Sequence, residues 1–520
     1  MKRRDFLRNM GVAVGGPILL NGFGLSALAK SRLFSAINDD EDRVLVLIQL
    51  NGGNDGLNTL IPLDQYDNLV TVRGNILIPE ANILPLTDTL GLHPKLSGMK
   101  TMFEDGKLGF IQNVGYPNQN RSHFRSIEIW ASGSPANEYW TSGWAGRYLN
   151  QQYPGYPEDY PNTDFPDPFA ITMGFLVSET CQGPVSNFAI TLSDPFTLSN
   201  LAEWNTDEYA GTLFGEELAF VRESISLTNQ YSTQIHAAAN LGSNQANYPD
   251  TELANQLKNV ALLISGGLKT KIYTVSLGGF DTHGDQVVEG SPTTGVHAKL
   301  LDTLSGAIKA FQDDLVAQGL QDRVMGMTFS EFGRQIRSNG SYGTDHGTAA
   351  PLILFGACTE GIVLGDNPII AEDVAVQEGV PMQYDFRDVY GSVLMDWFNV
   401  PKATVKTLLY EGFHYLPVTT CGTPDSVRER PGIGDSIDLG NFPNPFTGST
   451  VIRFQTKDEW VRLSVLDGMG QELAVLVDRK FNAGTHEIPF NGRELPAGNY
   501  YLHLKLEGVR QKTALMVRAR

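Results

Sequence analysis

At 520 residues the chain exceeds what one ordinary hydrophobic core supports, so two or more domains are expected. A formal charge of -19 argues against nucleic acid and anionic membrane as partners, because both require cationic patches. The composition is that of a soluble globular protein, and 54 glycines and 27 prolines imply many turns and loops.

Met1–Ala29 has a basic start, a short glycine-rich apolar middle and a small-residue Ala27-Leu28-Ala29 cleavage site. That pattern is a signal peptide and is too short to be a membrane span. Arg3-Arg4-Asp5-Phe6-Leu7 resembles the twin-arginine export motif, a route that carries folded proteins, often with metal already loaded. The alternative is an ordinary secretory signal with two chance arginines.

Arg43–Leu50 (RVLVLIQL) is a continuous apolar run, the pattern of a parallel strand buried on both faces. It ends in Asn51-Gly52-Gly53-Asn54-Asp55, which sets Asp55 at the strand's carboxyl end, although a plain turn explains that stretch as well. Lys107–Val114 reads as a second strand leading to Asn120-Arg121-Ser122-His123 and a helix. Ser122 at such a turn suits a nucleophile activated by a helix N-terminus or a metal, and equally a helix cap. Residues 151–207, rich in Pro, Tyr, Asn and Asp, read as a surface insertion. Helical spacing follows over Glu208–Asn240 and Thr251–Leu263.

Lys271–Leu277 is a further strand, ending in GGFDTHGDQ. The Asp281-x-His283 spacing places both side chains on one face of an extended segment. His297 opens a helix over Ala298–Leu315, as a helix-entry or functional residue. Val324–Phe329 forms the strand before Ser330-Glu331-Phe332-Gly333-Arg334, a Gly/Ser/Asn-rich loop and Asp345-His346-Gly347. Pro351–Phe355 continues the sheet and Asp385–Val400 reads as a helix. Alternating strands and helices give an α/β class: a mainly parallel sheet sandwiched by helices. Cys181, Cys358 and Cys421 form no CxxC; at most one bridge is allowed by number and none is expected.

Acid-rich clusters at three strand ends (Asp55; Asp281 with His283; Glu331 with Asp345 and His346) point to one or two divalent ions clamping a phosphoryl or sulfuryl group. Beyond a Pro/Gly/Asp-rich linker over 421–439, short strands separated by turns indicate a small β-sandwich over 440–520. NFPNPF, LSVLDGMGQEL and LPAGNYYLHL in that region resemble the sorting domain of type IX secretion in Gram-negative bacteria, which implies delivery across the outer membrane. A carbohydrate-binding sandwich is the alternative, without an aromatic platform to mark it.

LIQLNGGNDGLNTLIP, NRSHF, GGFDTHGDQ, FSEFGRQIRSNGSYGTDHGTAAP and DFRDVYGSVLMDWF resemble a bacterial exported family of unknown function grouped with the sulfatase and alkaline phosphatase superfamily. The resemblance covers most of residues 1–420, so 30–420 are expected to form an alkaline-phosphatase-like α/β domain. It implies Ser122 as nucleophile, Asp55, Asp281, His283, Asp345 and His346 as metal ligands, and Arg334 as a holder of an anionic substrate oxygen. It also implies zinc, manganese or calcium. Three departures stand out, the first being that the sulfatase modification motif (Cys or Ser, then x-Pro-x-Arg) is not visible. The Asp-x-His spacing is tighter than usual, and His414 is the sole downstream histidine of the body for a final ligand place, in an unmatched context.

Two readings of function follow. One is an exported metal-dependent hydrolase of phosphate or sulfate esters, delivered through the periplasm to the outer surface or the medium. The other is a non-catalytic surface protein that uses the same scaffold to bind polysaccharide or another polymer.

Overall fold

The computed structural model describes residues 19–20, 23–24, 42–174, 178–197, 213–356, 358–420, 439–506 and 511–519; 213–224 and 511 are described as backbone alone. Most of the expected signal peptide and linker lies outside these residues. Met1–Asp42 is a unit of its own, in which Leu19–Leu20 pairs antiparallel with Phe23–Gly24. Among the described residues no helix is long and apolar enough to cross a membrane.

The apolar runs become the middle of one nine-stranded sheet. At its centre, β1 (Val44–Asn51) lies between β5 (Ile272–Gly278) and β6 (Val324–Ser330), parallel to both. Register pairs Gly278 with Asn51 and Ser330 with Leu50, so these three strands end at one level. Antiparallel β7 (Ala350–Gly356) joins β6 to β2 (Leu108–Gly115), and β2 therefore points the same way as β1. The short strands β8 (Val363–Leu364) and β9 (Tyr384–Asp385) both pair with β2. The loops leaving β1, β2, β5 and β6, and the chain entering β7, therefore share one rim. That shared rim creates the site.

Continuous burial requires cover on both faces, and Val44–Ile48 are each no more than 1 % exposed. The helices are amphipathic at the spacing this demands. In α6 (Glu252–Ser265), Leu253, Leu257, Val260, Ala261 and Ile264 are buried, and the Thr251 hydroxyl caps the start by accepting from the Ala254 amide. It packs between α5 (Leu213–Leu241) and α7 (Val296–Ala317), and α7 in turn meets α2 (Ser97–Glu104). A second group joins α3 (His123–Ser132), α4 (Trp144–Gln152) and α8 (Phe386–Phe398). There Trp130 stacks on Phe386 at 4.4 Å and Trp144 on Tyr390 at 4.5 Å.

The fold class is the one read from the sequence, but the region 151–207 is more than a surface insertion. It supplies β3 (Ala170–Met173) and β4 (Ala189–Leu192), parallel strands that extend the sheet beyond β5. Several of its aromatics turn inward, with Tyr153 on Phe169 at 3.7 Å and Tyr156 on Phe188 at 4.1 Å. Four-residue strands among prolines give too little periodicity to read. The expectation of no disulfide is also corrected. Cys181 is free and buried, but Cys358 is disulfide-bonded. Spacing along the chain could not show this. The return of the chain brings Thr420 onto the Cys358 carbonyl, its amide donating at 2.7 Å.

The C-terminal region forms two antiparallel sheets. Three strands, Leu439–Phe442, Ser449–Thr456 and Gly484–Asn491, make one; Glu472–Phe481, Glu459–Leu466, Gly498–Leu506 and Gln511–Arg518 make the other. Strict in/out alternation over Ser449–Thr456 feeds a core that includes Ile452, Phe454, Leu463, Leu502 and Met516. This sandwich touches the body through a buried bond in which the Tyr501 hydroxyl donates to Glu378 Oε1 at 2.7 Å, and through Gly379 N–H donating to the Gly468 carbonyl at 3.0 Å. Tyr501→Phe removes one donor from a buried carboxyl and is expected to cost about 1–3 kcal/mol in urea unfolding. Lys512→Ala, which breaks a partly exposed ion pair with Asp366, should cost below about 1 kcal/mol in the same measurement.

Candidate metal centre

Glycine permits the close approach on which the rim depends. Gly52 sits at φ +118°, and a Cβ there would lie 2.2 Å from the Asp281 backbone nitrogen. Its amide donates to Glu331 Oε1 at 2.6 Å, which ties the ends of β1 and β6 together. Arg334, fully buried, then gathers the remaining carbonyls. It donates to Gly53 O at 2.7 Å, Phe280 O at 2.8 Å and Thr344 O at 2.9 Å, to Gly52 O, and to Asp281 Oδ1 at 2.8 Å.

Three imidazoles and one carboxylate meet above this brace. Ligand atoms of His123, Asp281 and His346 lie within 4.8 Å of one another. His283 joins them, its Nε2 at 3.2 Å from Asp281 Oδ1 and 2.9 Å from His346 Nε2. Each imidazole has its other nitrogen committed. His346 Nδ1 is 2.8 Å from the Arg121 carbonyl, which only accepts, so Nδ1 carries the proton. His283 Nδ1 is 2.7 Å from Asp345 Oδ1, and His123 Nδ1 is 2.9 Å from Glu331 Oε1. In the neutral rings all three Nε2 lone pairs then face the Asp281 carboxylate. His123 Nε2 is buried without a hydrogen-bond partner, 3.4 Å from Asp281 Oδ2. Lone pairs converging on a carboxylate repel one another until a cation sits among them. Phe332 packs against His123 and His346, with ring centroids at 5.0 and 4.6 Å, and fixes both planes.

At His346 the electrostatics favour the neutral ring. Burial pushes His346 below the ordinary imidazole range, which keeps it neutral at neutral pH. Burial works against the charge on Asp281, but the hydrogen bond and charge of Arg334 overcome it and hold the carboxyl below its usual range. Asp345 is held low in the same way, burial being outweighed by hydrogen bonds from His283 and Asn339. Asp281, His283 and Asp345 keep 46, 46 and 48 % of their side chains exposed, so the cluster opens to solvent.

The sequence pointed to four of these side chains: Asp281, His283, Asp345 and His346. Asp55 is not among them. It is buried and gripped by Arg73 Nη1 at 3.0 and 3.1 Å and by Gln286 Nε2 at 2.6 Å, leaving no free face for an ion. Arg334 is likewise turned away from any substrate, because its donors face backbone carbonyls and Asp281. Ser122 is the exposed N-cap residue of α3, and its hydroxyl makes no capping bond. His414 lies elsewhere, its amide donating to Asp388 Oδ1. The residue that the sequence reading missed is His123, beside Ser122; its signal was an imidazole one position into a helix at a strand end.

Residues 222–396 match a family model described as a protein of unknown function (DUF1501). The DUF1501 segment carries β5, β6, β7 and every site residue above except those from the loops after β1 and β2. Residues 441–518 match the secretion system C-terminal sorting domain, which implies type IX secretion to the cell surface or beyond. No curated protein matches the chain. Solved structures similar to it include a protein of the alkaline phosphatase superfamily from Vibrio parahaemolyticus (10% identity, 81% of this chain and 76% of that one, TM-score 0.32). A sulfatase from Pseudoalteromonas sp. is 11% identical, with 87% and 84% covered and a TM-score of 0.31. A phosphonate monoester hydrolase from Silicibacter pomeroyi is 10% identical, with 91% and 89% covered and a TM-score of 0.33.

Two further histidines lie buried beneath the rim. His297 Nε2 is 3.0 Å from Asn54 Oδ1, and burial lowers its pKa to about 4; burial lowers that of His93 to about 3. Both fold neutral, whereas the unfolded chain takes up protons below about pH 6.5. The stability they contribute is therefore complete above about pH 6.5 and lost as the pH falls toward 4 and then 3. Thermal unfolding between pH 7 and 4 should show this acid limb. His297→Gln, which keeps a donor for Asn54, should flatten it by on the order of 2–3 kcal/mol. An unchanged slope would exclude His297 as the group responsible.

Proposed function

We propose that the chain is an exported metal-dependent hydrolase of phosphate or sulfate esters. The observation behind this reading is the convergence of three Nε2 lone pairs and the Asp281 carboxylate on one solvent-open place. His123, Asp281 and His346 would hold the ion, with His283 beside them. A donor set of imidazoles with a carboxylate favours zinc or manganese over calcium, which prefers an all-oxygen shell. Exposure of the donors supports a site with a position left for substrate, unlike the closed shell of a structural ion. A bound divalent ion supplies charge that polarises a phosphoryl or sulfuryl oxygen and acidifies a water.

The protein's own contribution is orientation. Glu331, the Arg121 carbonyl and Asp345 each take one imidazole Nδ1–H and so aim the corresponding Nε2 inward. Arg334 holds Asp281 ionised and in place. Among the described residues Ser122 has no base hydrogen-bonded to its hydroxyl, so activated water is favoured over the serine as attacking group. A purely binding role on polysaccharide has its own support in Phe124 and Tyr139, which are 85 and 78 % exposed on and just beyond α3 and suit stacking on sugar rings.

Elemental analysis of natively exported protein should find zinc or manganese retained, and His346→Ala with Asp281→Ala should release it. Glu331→Gln should weaken retention by about 10- to 100-fold. Turnover of p-nitrophenyl phosphate or sulfate should survive Ser122→Ala and vanish in the double variant. Metal retention by the double variant would sink the assignment. Retention by the native protein without turnover of any ester would favour the polymer-binding alternative.

A further inference from the structure

Under the metal centre lies a side chain that touches none of its donor atoms yet reaches both loops that carry them. Gln286 is fully buried. Its Oε1 accepts from the Thr282 hydroxyl at 3.1 Å and from the Thr344 hydroxyl at 2.7 Å. Thr282 stands between Asp281 and His283, and Thr344 immediately precedes Asp345 and His346. The two threonines also meet directly, the Thr344 amide donating to the Thr282 carbonyl at 3.1 Å. From the other end of the amide, Nε2 donates to Asp55 Oδ2 at 2.6 Å. Asp55 is locked on Arg73, whose Nε and Nη2 donate to the carbonyls of Ile336 and Gln335 at 2.8 and 2.9 Å. Gln335 closes the circuit, since its amide donates to the Asp345 carbonyl at 3.0 Å.

We propose that Gln286 is a positioning residue of the metal centre, setting the distance between the Asp281–His283 loop and the Asp345–His346 loop against the fixed Asp55–Arg73 pair. This rests on the metal-centre reading. The chemistry at this position is demanding. One oxygen must accept two hydroxyl protons while the same group donates to an ionised carboxylate, and a primary amide does both without adding charge. Leucine fills the space and does neither. Glutamate accepts from both threonines, but once ionised it sets a second negative charge against Asp55, a like-charge pair that only a shared proton relieves.

The test is zinc and manganese titration of the full chain, with thermal unfolding measured alongside. Gln286→Leu is expected to weaken metal affinity by about 10- to 100-fold, the loss typical when a partner that orients ligands is removed. For Gln286→Glu the affinity relative to the unmodified chain should fall as pH rises. The ratio cancels the competition of protons for the imidazoles, which both proteins share. Thr344→Val cuts one link while keeping shape, and should give a smaller loss of affinity; it decides the matter if Gln286→Leu does not fold. Metal affinity within twofold of the unmodified chain in the folded variants, with only the unfolding temperature lowered, would overturn the proposal and leave Gln286 as a core residue. If the unmodified chain itself binds no metal, the metal-centre reading fails and this proposal goes with it.

Discussion

One buried guanidinium holds the functional rim together. Arg334 gathers carbonyls from the loops after β1 and β5 and from the strand-to-β7 connection, and its last donor goes to Asp281. Removing an arginine from water costs several kcal/mol, so such a group persists only where nearly every N–H finds an acceptor. The planar fork meets that condition with carbonyls arriving from three directions, which a lysine ammonium on a flexible stem would not satisfy. Parallel strands that end at one level need such a device, because their loops each present unpaired carbonyls to the same space.

The site illustrates how orientation is divided between near and distant chain. Every imidazole is aimed by a group on another element: Glu331 from the end of β6 for His123, the Arg121 carbonyl for His346, and Asp345 for His283. None of these acceptors is costly to build, since two are carboxylates already at the rim and one is backbone. The result is a set of ring nitrogens aimed at one place, with Phe332 packed against the rings of His123 and His346.

Much of the sheet was legible because buried parallel strands are written as continuous apolar runs, as in RVLVLIQL and VMGMTF. Acids and histidines just past those runs were legible for the same reason, and Asp281, His283, Asp345 and His346 do meet. Asp55 looked identical in sequence, but its fate is decided by Arg73, 18 residues on, and by Gln286, 231 residues on. His123 was hidden because its carboxylate partner lies 208 positions away. Arg334 stood out beside the right motif, yet whether an arginine faces substrate or backbone depends on which loops surround it, and a single sequence does not state that. The strands at Ala170–Met173 and Ala189–Leu192 were lost among prolines and tyrosines whose rings turned out to be core.

The fastening at Cys358 bears on how the body tolerates traction and cutting. β7 starts beside the His–Asp cluster and runs away from it, so Cys358, just beyond its end, lies toward the opposite edge of the sheet. The sulfur there is covalently bridged, and Thr420 is bonded to the same residue's carbonyl through both its amide and its hydroxyl. Thr420 is therefore fastened to Cys358, with the length of a strand separating it from the histidine cluster. Load arriving from the C-terminal side thus falls on one end of the body, while the histidine cluster sits at the other.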